Sequence, residues 1–151
     1  MSTPVYAYLQ LVATALAHIR VTNGYNTDLG TAVTLEPDQQ AATDGNRIVV
    51  LQTAFARSQD PAMRGVGRRI EFNVIAQCQR ELGDAQLRLH RAQDDIERCL
   101  LNKDHLRTVF LAGSADRPFP QFEESVMASK VEGLDWVGVA VRYSAQLRIN
   151  R

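Results

Sequence analysis

Residues 136–149 read WVGVAVRYSAQLRI, and Val137, Val139, Val141, Tyr143, Ala145, Leu147 and Ile149 occupy every second position. A period of two puts those side chains on one face of a β-strand. The alternation outlasts an ordinary strand, which implies a strand that outruns its own domain or pairs with another subunit. Arg68 to Gln79 repeats the pattern: Ile70, Phe72, Val74, Ala76 and Cys78 face one side, Glu71, Asn73, Gln77 and Gln79 the other, with Ile75 the exception. Two long strands with one apolar face each require a sheet whose apolar face is covered.

Two further segments supply the cover. Val5, Leu9, Val12, Leu16 and Ile19 recur in steps of four and three, the stripe of an amphipathic helix. Ser2 or Thr3 can cap it and Pro4 suits its first position, so the pattern predicts a helix from Pro4 to Arg20, with Tyr6 and Tyr8 at the edge of the stripe. Ala85, Leu89, Ala92, Ile96, Cys99 and Leu100 form a second stripe after Asp84, a candidate N-cap. Arg88, Arg91, Asp94, Asp95 and Arg98 are expected on its wet side, with Arg91 and Asp95 spaced to pair. Asn102 ends this helix, and Lys103 to Leu111 adds a helical turn or two.

The remaining strands are short. Thr31 to Leu35 is rich in β-branched residues and stopped by Pro37, so it reads as an edge strand. Ile48 to Leu51 is an unbroken apolar run, the expected central strand, covered on both faces. Ala54 to Gly67 is expected to be a hairpin tip or an assembly loop, and Gln121 to Lys130 a strand with Phe122, Val126 and Ala128 on one side. The sum is one domain over residues 1–151 of α/β class (α+β type), a mixed, mainly antiparallel sheet with two main helices packed on one face. The bare face needs a lid, and a neighbouring subunit is the economical candidate.

Composition fits this picture. A domain of 151 residues buries about 70% of its unfolded surface, and no apolar run approaches the length of a membrane span. Seventeen basic and 17 acidic residues cancel, which disfavours a sequence-blind DNA coat that works by counterion release. Of the basic residues, 15 are arginine and only Lys103 and Lys130 are lysine; arginine's planar fork suits fixed contacts with carboxylates or phosphates. Cys78 and Cys99 fall on the apolar sides of a strand and a helix, as buried free thiols do. With no basic stretch leading into an apolar signal core, a reducing, cytosolic place of synthesis is expected.

Catalytic patterns are missing. His18, His90 and His105 share no metal-ligand spacing, and Ser58, Ser114 and Ser125 lack a nucleophile elbow. Gly65-Val66-Gly67 lacks the third glycine of a dinucleotide loop. The adjacent pairs Asp94-Asp95 and Glu123-Glu124 are expected to point apart and be solvated. No cofactor or metal, and no enzymatic activity, is therefore expected. The charge is unevenly spread: residues 22–56 carry Arg47 against Asp28, Glu36, Asp38 and Asp44, a balance of −3. Residues 57–91 carry seven arginines against Asp60, Glu71, Glu81 and Asp84, a balance of +3. Opposite patches on one chain suit head-to-tail association in a ring.

The amphipathic N-terminal helix, the turn Asn23-Gly24-Tyr25-Asn26-Thr27-Asp28-Leu29-Gly30, the strand after it, the Arg68 to Gln79 strand, the helix bearing Asp94-Asp95-Ile96 and the long terminal strand together resemble tail terminator (tail completion) proteins of tailed bacteriophages. The resemblance covers most of the chain in order, and its most specific piece is the NGYNTDLG turn running directly into a strand. It implies a structural, non-enzymatic virion protein, made in the host bacterial cytoplasm and placed at the head-proximal end of the tail. As a homohexameric ring it would cap the tail tube, stop tube polymerisation and offer the surface for head and neck attachment. Its partners would be copies of itself, the tail tube protein and a head–tail neck protein, with genomic DNA passing through the ring channel and no membrane.

Within that family pattern Asn23, Gly24, Tyr25 and Asp28 would set the turn, with Tyr25 half buried. Arg57, Arg64, Arg68 and Arg69 are candidate subunit, tube or channel contacts, and Trp136 and Phe55 candidate interface anchors. A head–tail joining protein is the nearest alternative. A small ligand-binding domain or enzyme, and a nucleic-acid binder using the arginine-rich loop, are the more distant ones.

Overall fold

Thr3 starts the first helix by accepting the Tyr6 N–H through Oγ1 at 3.2 Å, and Pro4 fills the first turn, where an N–H would have no helical partner. In this computed structural model, which describes residues 3–36, 46–58, 67–79, 84–110, 118–128 and 136–148, helix α1 spans Pro4–Leu16. It buries Tyr8, Leu9, Val12, Ala15 and Leu16. Tyr8 lies inside the core rather than at its edge: it packs on Phe72 and Phe110, and its hydroxyl donates to the Pro118 carbonyl at 2.8 Å.

The helix stops at Leu16, short of the predicted Arg20. The reason is a close approach downstream. Gly30 N–H takes the Ile19 carbonyl at 2.8 Å, and a Cβ on Gly30 would stand 2.6 Å from the Ala17 and Ile19 carbonyl oxygens. Continuing the helix would direct those carbonyls along its axis and away from the turn. Two short 3₁₀ turns, Val21–Asn23 and Leu29–Thr31, frame the excursion. Gly24 ends the first in the left-handed region, at φ 88°, where a side chain is disfavoured.

The sheet has five strands: β1 Val33–Thr34, β2 Arg47–Arg57, β3 Gly67–Gln79, β4 Gln121–Ala128 and β5 Trp136–Arg148. Their lateral order is β1-β2-β3-β5-β4, with β1 parallel to β2 and every other neighbouring pair antiparallel. The Thr31 to Leu35 strand is thus an edge strand, cut to two residues. Ile48–Leu51 opens β2 and has both faces buried at Ile48, Val49 and Val50, yet the middle strand is β3. Of the segment from Ala54 to Gly67, expected to be a hairpin tip or an assembly loop, the described residues lie at the ends of two paired strands: β2 runs to Arg57, and Ser58 N–H donates to the Gly67 carbonyl at 3.3 Å, while residues 59–66 lie outside the described residues.

The length of β5 is used inside the subunit. Gly67↔Arg148 through Gln79↔Trp136 pair without interruption, so β3 takes the partner role expected of a second subunit. Helices α2, Ala85–Leu101, and α3, Lys103–Phe110, follow β3. With α1 they share one core with Ile70, Phe72, Val74, Ala76 and Cys78 of β3 and Val139, Val141, Tyr143, Ala145 and Leu147 of β5. The alternating residues read from the sequence are the ones buried, apart from Val137 and Ile149, whose side chains lie outside the described ones.

In β4 the expected faces are exchanged after Phe122. A bulge at Glu123 separates the pairs Phe122↔Tyr143 and Glu124↔Arg142, so Ser125 and Met127 take the helix side and Val126 the bare side, where it is exposed. One extra residue in a strand inverts everything beyond it.

Gly30→Ala should therefore destabilise the fold by about 2–3 kcal/mol, through forced displacement of packed backbone. Gly24→Ala, whose added methyl meets open space, should lose only about 1 kcal/mol from its left-handed backbone. Denaturant titration separates the two; equal losses would refute the close approach as the reason for glycine at position 30.

Candidate functional site

Asp95 stands three residues after Ala92 and four before Cys99, so it shares the stripe that α2 turns toward the core and not the wet side expected for it. Its residue is fully buried. A carboxylate there needs donors, and the NGYNTDLG turn delivers them. Asn26 N–H and Nδ2 donate to Oδ1 at 2.9 and 3.1 Å; Thr27 N–H and Oγ1 donate to Oδ2 at 2.8 and 2.6 Å. Asp94 also reaches the turn, accepting from Asn26 Nδ2 at 3.0 Å. The two neighbouring carboxylates, expected to diverge, converge on one asparagine, and Asp95 pairs with the turn rather than with Arg91.

The other turn residues meet around this clamp. Asn23 Nδ2 donates to the His18 carbonyl at 2.9 Å, and Asp28 Oδ1 accepts the Val21 N–H at 2.9 Å. Tyr25 is buried rather than half buried, edge-on to His18 and beneath the Arg98 guanidinium, 5.1 Å from its ring centre. Arg98 donates to the Gly24 carbonyl at 3.2 Å and stands 3.6 Å from Asp94 and 3.9 Å from Asp95. Asn23, Gly24, Tyr25 and Asp28 are thus brought together, while sequence reasoning missed Asn26, Thr27, Asp95 and Arg98. The missed signal was a carboxylate at a core position of a helix.

Beneath the turn, the Ala15 carbonyl at the end of α1 accepts the Cys99 thiol at 3.2 Å and lies 2.9 Å from His105 Nε2. Burial pushes the Cys99 thiol up to about 11 and the Tyr25 hydroxyl to about 12, so both keep their protons near neutral pH. His18 stacks on His105 with ring centres 4.2 Å apart. Burial, and then the charge of His105, hold the His18 imidazole below its usual range.

The arginines expected to form one patch divide between two faces. Arg57 and Arg68 stand opposite each other in the β2–β3 ladder, whereas Arg69 is displaced by one residue onto the other face. There Arg69 pairs with Glu71 and, at 3.1 Å, with Glu123, which accepts from Ser144 Oγ at 2.5 Å. The hydrogen bond from Ser144, supported by Arg69, holds the Glu123 carboxyl below its usual range. Glu124 meets Arg142 at 3.3 Å on that same face. The Glu123 bulge thus overturns the expectation that this pair points apart. Arg64 lies outside the described residues, as does the Trp136 side chain.

A polar cleft of about 240 Å³ lies between the turn, Asn46 and Cys78, closed on one side by Arg88 and Arg91 of α2. Arg88 donates to Asn46 Oδ1 at 2.9 Å. Among the described residues, no group of three or more His, Cys, Asp or Glu could hold a metal ion, and no helix is long and apolar enough to cross a membrane. No protein-family model matches the chain, and no curated protein matches its sequence significantly.

Asp95→Ala should cost about 3–5 kcal/mol, as removal of one side of a buried charged network does. Asp94→Ala, at an exposed position, should cost less than about 1 kcal/mol. Thermal and denaturant unfolding give both values, and a mild Asp95 variant would refute the clamp.

The stacked imidazoles predict a pH dependence. A histidine whose folded pKa lies below the unfolded value of 6.5 binds fewer protons when folded, so its contribution is present at higher pH. That contribution is lost as pH falls through 6.5 toward the folded pKa. His18→Gln should flatten this part of the stability profile; an unchanged slope would show that the stack does not carry it.

Proposed function

We propose that this chain is a structural subunit of a phage tail, a tail terminator that assembles as a ring on the tube end and presents the surface for head and neck attachment. The observation that carries the reading is the NGYNTDLG turn. Asn26 and Thr27 serve the buried Asp95, Asp28 holds Val21 N–H, and Tyr25 packs under Arg98. The most specific part of the resemblance is therefore a set of residues that specifies a fold, which suits a structural rather than a catalytic role. Such a subunit acts in the virion, at the head-proximal end of the tail.

A neck protein that joins head to tail is the second reading, since it would use the same kind of surface. The Arg88 and Arg91 cleft favours a small-ligand role, but its volume is below the ~300–1,000 Å³ typical of pockets that bury a drug-sized molecule. The exposed Arg57 is the better candidate for a tube, subunit or channel contact, with Arg68 beside it on the same face, because Arg69 lies on the other face, bound to the Glu71 and Glu123 carboxylates.

Loss of the gene should yield overlong tails. Normal tails beside unattached heads would instead assign the joining role. Purified protein should bind the ends of growing tubes, and Arg57→Glu with Arg68→Glu should weaken that binding without lowering the melting temperature. A strictly monomeric protein that never binds tube ends would overturn the tail reading.

A further inference from the structure

The sheet has two unpaired margins. β1 covers β2 only at Ile48 and Val49, so Leu51–Arg57 has no outer partner among the described residues, and the outer side of β4 has none either. An uncovered edge is a template for another strand. Each margin carries two large exposed side chains: Leu51 and Phe55 on β2, 38% and 52% accessible, and Phe122 and Val126 on β4, 45% and 56% accessible.

These four residues are matched in spacing and in face. Leu51 and Phe55 are four residues apart with a bulge between Gln52 and Ala54. Phe122 and Val126 are four apart with a bulge between Phe122 and Glu124. Residues directly opposite in a ladder share a face. Phe55 and Phe122 stand opposite the core residues Ile70 and Tyr143, on the helix side; Leu51 and Val126 stand opposite Asn73 and Ala140, on the bare side.

One antiparallel register therefore sets Phe55 against Phe122 and Leu51 against Val126 at once, each on its proper face. The pairing order makes β2 and β4 antiparallel within one subunit, so rotation about an axis along the strands presents them antiparallel between subunits. The charged residues are Arg57 on the free part of β2 and Glu123 and Glu124 on β4; the two glutamates already pair with Arg69 and Arg142, so no like-charge repulsion opposes the approach and the apolar match directs it. A bulge disrupts the ladder locally and deters regular edge pairing, so a strand that pairs with this margin has to accommodate the irregularity, as one bulged near the same place does.

We propose that β4 of one copy adds to Leu51–Arg57 of a second copy, head to tail, with Phe55 on Phe122 and Leu51 on Val126. This shares self-association with the ring reading but does not depend on the tail tube. The test mixes full-length Phe55→Cys with full-length Phe122→Cys under mild oxidation; Cys78 and Cys99 are buried. The mixed disulfide should form, each variant alone should not pair, and Phe55→Cys with Val126→Cys, displaced by about 13 Å, should not cross-link.

Absence of the mixed product, dominance of Phe55→Cys self-pairs, or equal cross-linking of the displaced pair overturns the proposal. Phe55→Asp should fold, by circular dichroism, and weaken association by about tenfold or more; unchanged association also overturns it. A wild-type protein that caps tubes while the mixed disulfide fails to form defeats the edge pairing alone. A protein that cross-links in register but never binds tube ends defeats the tail reading alone.

Discussion

A single buried carboxylate organises the region where the chain changes direction. Asp95 is placed by a helix, but its donors come from a turn 68 and 69 residues earlier. Each side needs the other: without the turn, Asp95 is an uncompensated charge in the core, and without Asp95, two backbone N–H groups of the turn lose their acceptor. Such mutual need fixes register more sharply than apolar contact, which tolerates sliding. It also accounts for the early end of α1. Once Asn26 and Thr27 are pinned to α2, Gly30 is drawn against the carbonyls of Ala17 and Ile19, and the chain is aimed into β1.

The same clamp gathers the polar chemistry of this end of the molecule. Tyr25, Arg98, Cys99, His18 and His105 lie within one packed cluster. Burial raises the thiol and the phenol above the pH at which they would act as bases or nucleophiles, and the Ala15 carbonyl engages the thiol. Their arrangement braces the turn.

Periodicity made much of this fold legible. The even-numbered apolar residues of β3 and Val139, Val141, Tyr143, Ala145 and Leu147 of β5 are the observed core, and the stripes of α1 and α2 pack upon them. Three features escaped because they are not periodic. Lateral strand order depends on which edges meet, so Ile48–Leu51 could be read as central when β3 is. A bulge is one unpaired residue, visible only against its partner, and the one at Glu123 exchanged the faces of Ser125, Val126 and Met127. The clamp required recognising that Asp95 interrupts an apolar stripe, and that Asn26 and Thr27, read as turn formers, are also donors.

The two faces of the sheet divide the labour. The helix face is closed by α1, α2 and α3, while the bare face carries Arg69, Glu71, Glu123 and Ser144 as a bonded network beside Glu124 and Arg142. Arg69, Glu71, Glu123 and Ser144 satisfy one another there, while Arg142 pairs with Glu124 and keeps a buried Nε without a partner. The margins of the described sheet add unpaired backbone groups and the exposed side chains of Leu51, Phe55, Phe122 and Val126. The bulge on each margin and the charges of Arg57, Glu123 and Glu124 narrow what can pair there. The matched hydrophobic positions on opposite margins are the feature on which the proposed pairing of copies rests.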